Sequence, residues 1–178
     1  GGQVAWAEAA LPLVSITHLD NRNAENRTVW VTRHRPKIDR IACPWLIKRF
    51  IDSKAQFLYV EPAEVIDVAD RFNAIAFDAE GALYTHQDNE CTFDALLKAF
   101  KLNDKALNHL AQIIRGADTG NHDIAPQSAG LLAASLGFSR MYKNDNAQLE
   151  ACLPLYDALY RWCRDATDEQ HNDASHAH

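Results

Sequence analysis

The chain has 178 residues, is 47% hydrophobic and 24% charged, and carries a formal net charge of −6. That length allows one domain with a full hydrophobic core and excludes two large ones, while the composition excludes a mostly disordered, fibrous or membrane-embedded chain. No apolar run reaches the roughly 18 residues that span a bilayer, and Cys43, Cys91, Cys152 and Cys163 are too irregularly spaced for a disulfide framework, so a reducing, cytoplasmic setting is expected.

Residues 1–14 form a short amphipathic helix pattern stopped at Pro12, and the polar, Asn-rich stretch 15–28 reads as a linker. There is no initiator Met and no basic-then-apolar leader, so the expectation is a fragment or a processed product. Val29 to Thr32 is β-branched and aromatic, which predicts a strand. Apolar residues from Ile38 to Phe50 recur at helical spacing, and Pro44 places the firm helix start there with Cys43 at the cap. Strands are expected at Gln56–Val60 and Ala74–Phe77, with a helix at Pro62–Phe72 between them and a possible fourth strand at Ala82–Thr85 after Gly81. From Thr92 the pattern is helical: Thr92 capping a helix through Phe100, Asp104 opening another that stops at Gly116, Pro126 beginning a third that ends at Gly137, and Asn144 or Asp145 capping a last one to about Arg164. Residues 165–178 read as a frayed tail. The fold class is α+β: a small three- or four-stranded sheet from the first half, packed by a predominantly helical second half.

Charge is uneven, +4 over residues 1–54 and −10 over the rest. Arg33, Arg35, Lys37, Arg40, Lys48 and Arg49 are opposed locally only by Asp39, a cluster that attracts anions or else forms a solvated face. A helix start at Pro44 adds backbone N–H groups and partial positive charge, which would make Cys43 partly thiolate unless it is a buried core residue. A second cluster, Tyr84 to Thr92, holds His86, Asp88, Glu90 and Cys91, the side chains that ligate transition metals, although a turn explains most of them and the spacing matches no standard finger. The loop Arg115 to Asp123 offers Asp118 or His122 to complete a site begun by His86, and Arg115 to hold an oxyanion; turn chemistry would also select such residues. Cys152 and Cys163 read as core positions on one face of the last helix. No phosphate loop, nucleophile elbow or Ser/His/Asp arrangement is visible.

The runs Trp30-Val-Thr-Arg33 and Arg35-Pro-Lys-Ile-Asp-Arg-Ile-Ala-Cys-Pro-Trp-Leu-Ile47, with His86, Cys91-Thr-Phe-Asp94, Ile114-Arg-Gly-Ala-Asp-Thr119 and Leu155 to Cys163, resemble the chromate-resistance family of the ChrB C-terminal type over roughly residues 29–164. Gly1-Gly2, Trp6 and Ala10-Leu-Pro-Leu13 are similar to the closing helix of rhodanese-type sulfurtransferase domains. The resemblance implies a role in resistance to chromate, a tetrahedral dianion, beside an upstream rhodanese-like domain. The leading expectation is a domain that binds or senses chromate or a divalent transition metal such as zinc or iron. In it Arg40, Arg115 and Lys37 would face the oxyanion, His86, Glu90, Cys91 and Asp118 would be metal ligands, and Asp39 and His122 would support them. One alternative is a thiol enzyme using Cys43 or Cys91, for Cr(VI) reduction or sulfur acceptance. Another is a transcriptional regulator of a chromate-efflux operon, although the acidic remainder argues against nucleic-acid contact by this domain alone. No membrane partner is expected, and a homo-oligomer is left open.

Overall fold

A computed structural model describes residues 21–171, so the expected helix at 1–14, the last half of the frayed tail and the first part of the linker lie outside the described residues. Strand β1 (Val29–Arg33) lies at the centre of a three-stranded, wholly parallel sheet, with β2 (Gln56–Val60) on one side and the two-residue β3 (Ile75–Ala76) on the other. The chain between β1 and β2 contains α1 (Asp39–Leu46) and a π-helical turn (Ile47–Ile51), and that between β2 and β3 contains a 3-10 turn (Pro62–Glu64) and α2 (Val65–Phe72). Then follow α3 (Thr92–Ala99), α4 (Lys105–Asp118), α5 (Ser128–Met141) and α6 (Asp145–Asp165). The α+β expectation holds, with the sheet in the first half and four helices in the second.

Side chains alternate across β1. Trp30 joins a large core with Trp45, Phe57, Phe77, Phe93, Leu107 and Tyr156, whereas Val29 and Val31 face a smaller cluster with Val65, Ala74 and Ala76. Helix α1 therefore covers one face of the sheet and α2 the other. The first crossover carries the chain from β1 out to β2 on one edge and the second returns it past β1 to β3 on the other, so the strand order reverses about β1. The cleft at the carboxyl ends of β1 and β3, the switch point, is where a parallel sheet of this kind holds ligands.

Several boundaries differ from the sequence reading. Helix α1 begins at Asp39 and encloses Pro44. Proline has no N–H for the carbonyl of Arg40 four residues back, and the Tyr59 hydroxyl donates to that oxygen instead, at 2.9 Å. The segment 82–85 is no strand: its one backbone pairing is a Phe77–Tyr84 bridge, with the Asp78 N–H donating to the Tyr84 carbonyl at 2.8 Å, and the Tyr84 ring packs 6.2 Å from that of Trp30. Helix α4 continues through Gly116 to Asp118, because this glycine makes room for a neighbour instead of ending the helix: a Cβ there would lie 2.2 Å from Ser128 Oγ. Helix α5 starts at Ser128 and runs past Gly137 to Met141. Among the described residues no helix is long and apolar enough to cross a membrane.

Candidate metal centre at the switch point

The carboxyl end of β1 leads into α1 through Arg35 and Ile38, at φ 55° and 44°, and Asp78 beyond β3 sits at φ 46°. A β-branched residue at positive φ is strained, by about 1–3 kcal/mol, and strain of this kind collects at functional sites. Here it precedes Asp39, the first residue of α1, whose carboxylate is fully buried.

Asp39 caps a helix other than its own. One of its oxygens accepts the Thr92 N–H at 2.6 Å and the other the Phe93 N–H at 3.3 Å, which are the first two backbone donors of α3. Thr92 is thus the first residue of α3 and Cys91 its cap, a one-residue shift from the expected cap, made by Asp94 accepting the Cys91 N–H at 3.1 Å. The shift leaves the Thr92 hydroxyl free to donate to Asp78 Oδ1 at 2.9 Å.

His86 lies between two carboxylates. Its Nδ1 is 3.1 Å from Asp78 Oδ1, and its Nε2 is 2.9 Å from Asp118 Oδ2, on the last turn of α4. Ligand atoms of Asp39, Asp78 and His86 all fall within 4.8 Å of one another. Two guanidinium groups close the far side of Asp78. Arg33 donates from Nε to the Asp78 carbonyl at 3.0 Å and from Nη2 to its carboxylate at 3.3 Å, and Arg40 Nε stands 3.4 Å from the same oxygen while its Nη1 donates to the His34 carbonyl at 2.9 Å. One residue before Arg33, the buried Thr32 hydroxyl makes no hydrogen bond within the described residues, so the carboxyl end of β1 retains an unsatisfied polar group.

The electrostatics follow from three carboxylates gathered at one place. Burial, then the charges of Asp118 and Asp78, push the Asp39 carboxyl up to about 8. Burial also raises Asp118, against the hydrogen bond from His86 that lowers it. For His86, burial favours the neutral ring, but the hydrogen bond to Asp118 and the charges of Asp78 and Asp39 outweigh it and raise the imidazole above its ordinary value. All three groups bind their protons more tightly in the folded state than in the unfolded chain. For Asp39 this stabilisation is complete below 3.8, declines as the pH rises and is lost above about 8. The metal-free protein is therefore expected to lose thermal stability over that interval, with Asp39→Asn flattening the decline; melting curves across the range check this, and an equal slope in the variant would contradict it.

Of the residues singled out from the sequence, the fold brings Asp39, Arg40, His86 and Asp118 into one network, with the Cys43 thiol donating to Asp39 Oδ1 at 3.9 Å, and places Lys37, Glu90, Arg115 and His122 outside it. Glu90 pairs with Lys98, and Arg115 makes a bidentate pair with Asp94 at 3.0 and 2.7 Å. Lys37 is half-buried and His122 exposed. Cys43 is not a partly ionised thiol at a helix start: it lies inside α1, fully buried, and burial followed by the Asp39 charge pushes its thiol well up. Cys91 is likewise buried, with its thiol raised by burial and by Asp39, and it donates to Asp94 at 3.3 Å. Asp78 was not singled out. Its signal is positional, an acid directly after a buried strand at the carboxyl edge of a parallel sheet, and it needs the strand order to be read. A separate concavity of about 790 Å³, lined by Asp104, His109, Gln112, Cys163 and Asp168, lies between α4 and the end of α6, away from this network.

A three-stranded parallel sheet with an Asp-Asp-His cluster at its switch point defines a candidate metal-binding domain, and its family follows from comparison. The family described as ChrB, C-terminal domain, matches residues 30–163, and the chain belongs to it. It is 39% identical over 132 residues to Protein ChrB of Cupriavidus metallidurans, a match covering 74% of this chain and 39% of that protein. The chain thus matches about two fifths of that relative's length. No solved structure matches.

Proposed function

We propose that this domain serves chromate resistance by binding a transition-metal cation, a reduced chromium ion or a divalent ion such as zinc or iron, between Asp39, Asp78 and His86. The observation that carries this reading is the clamping of His86 by one carboxylate at each nitrogen. In the tautomer with its proton on Nε2, His86 donates to Asp118 and turns the Nδ1 lone pair toward Asp78. This is the carboxylate–histidine–metal arrangement in which an outer carboxylate orients the ligand. One imidazole with carboxylate oxygens, and no ionised thiol, suits a borderline or hard cation.

The arrangement of charge supports a cation over chromate itself. Both guanidinium groups nearest the cluster, Arg33 and Arg40, are already engaged with Asp78 and backbone carbonyls, which leaves neither free to take an oxyanion. The thiol-enzyme alternative is weakened because Cys43 and Cys91 are buried and held protonated. The DNA-binding alternative is weakened because much of the basic stretch is paired internally: Arg49 with Asp157, Lys48 with Glu150, and Arg33 and Arg40 with Asp78. Calorimetric titration with zinc(II), iron(II), chromium(III), chromate and sulfate tests the proposal. It predicts one cation per chain, bound with release of protons, and no heat from either oxyanion. Chromate binding more tightly than every cation would overturn it, as would a folded protein that takes up no cation.

A further inference from the structure

Helix α5 sets Leu131, Leu132 and Phe138 against the core but leaves two further large apolar side chains outside. The residues it buries are Ser128, Leu131, Ser135 and Ser139, three of them serines. Ser128 faces inward because α4 approaches closely there: its Oγ donates to the Ile113 carbonyl at 2.8 Å and lies where a Cβ on Gly116 would stand. The exposed stripe of α5 holds Ala129, Ala133, Leu136, Gly137 and Met141, and Leu136 and Met141 are 46% and 70% exposed. The apolar residues already facing the core do not account for this outer stripe, which with Leu136 and Met141 is a face suited to another surface. One charge interrupts it, Arg140 at the carboxyl end, and the loop before the helix carries an exposed Asp123. Neither makes an ion pair among the described residues.

We infer that the outer face of α5 pairs with the same face of a second copy of this chain, antiparallel about a two-fold axis near Ala133. Two copies related in this way bury Leu136 and Met141 against alanine and glycine positions, where small side chains let the helix backbones approach. Each Arg140 then stands opposite the partner's loop that carries Asp123, so the single cation and the unpaired acid meet twice. A parallel arrangement would instead set Arg140 against Arg140. The two-fold arrangement also closes on itself, leaving no open face to propagate a fibre. The pairing is independent of the metal reading, since none of these residues belongs to the switch-point network.

Sedimentation velocity on the full chain over the micromolar range tests the pairing. The expected result is a concentration-dependent dimer whose dissociation constant rises at least about tenfold in Leu136→Glu, a loss of about 1.4 kcal/mol, with unchanged circular dichroism showing that the exposed substitution leaves the fold intact. Arg140→Asp should weaken the dimer, and adding Asp123→Arg should restore it. A monomer at every concentration would overturn the proposal, whether α5 is covered by residues 4–14 or by a different protein. A dimer indifferent to Leu136→Glu, or a charge exchange that restores nothing, would overturn it as well.

Discussion

Replacing His86 by alanine should lower the affinity for zinc(II) by at least the roughly 10–100-fold that loss of a supporting partner alone costs a metal site. His86 offers the one nitrogen ligand of the cluster, and its side chain is 45% exposed, so its removal opens no core cavity. Asp118→Asn should produce a smaller loss, about tenfold. The amide still reaches Nε2 but carries no charge to hold the ring in the required tautomer. The graded order separates an orienting carboxylate from a ligand. Competition titration against a chelator of known affinity measures both, and equal affinity in wild type and His86→Ala would contradict the assignment.

Trp45→Ala should destabilise the fold by about 3–5 kcal/mol, the cost of emptying a large aromatic site in a core that cannot fully collapse. Trp45 is fully buried, with its ring centroid 5.7 Å from those of both Phe50 and Tyr160 and 6.4 Å from that of Phe93. Its indole N–H donates to Asp157 Oδ1 at 2.7 Å, an oxygen that also accepts from Arg49 Nε at 2.9 Å. The residue therefore ties α1 to α6 by packing and by a shared carboxylate. The same helix α1 carries Asp39 to the switch point, so the substitution should also weaken metal binding indirectly, by lowering the folded population. For a domain of this size the expected fall in melting temperature is about 10 °C or more. Trp45→Phe, which keeps one aromatic ring and loses the N–H and part of the indole volume, should cost less. Urea denaturation of the three proteins checks the order, and a loss in Trp45→Ala no larger than in Trp45→Phe would contradict the packing argument.

The elements legible in the sequence were those fixed by local chemistry. Val29 to Thr32 reads as a strand from its β-branched and aromatic residues, and Asn144, whose side chain accepts the Ala147 N–H at 2.8 Å, marks the start of α6 as a cap should. Reading failed where a distant group replaced a local one. Pro44 looks like a helix start until Tyr59 is seen to take up the orphaned carbonyl of Arg40, and Gly116 looks like a stop until Ser128 is seen to need its space. The site divides in the same way. His86 and Asp118 carry their chemistry on their face, and Asp39 stands beside unusual neighbours. Asp78 becomes visible only when β3 is placed next to β1, because its role comes from the edge of the sheet on which it stands and from no motif around it.

The account stands on a cation seated where the carboxyl ends of β1 and β3 diverge. Anomalous scattering at the zinc edge, from crystals grown with stoichiometric zinc(II), tests this most directly. The predicted map has one peak per chain bounded by Asp39, Asp78 and Nδ1 of His86, with Asp118 holding Nε2 and making no contact with the ion. A peak at His109 and Cys163 in the concavity beside α6, or a map with no peak at the switch point, would contradict it.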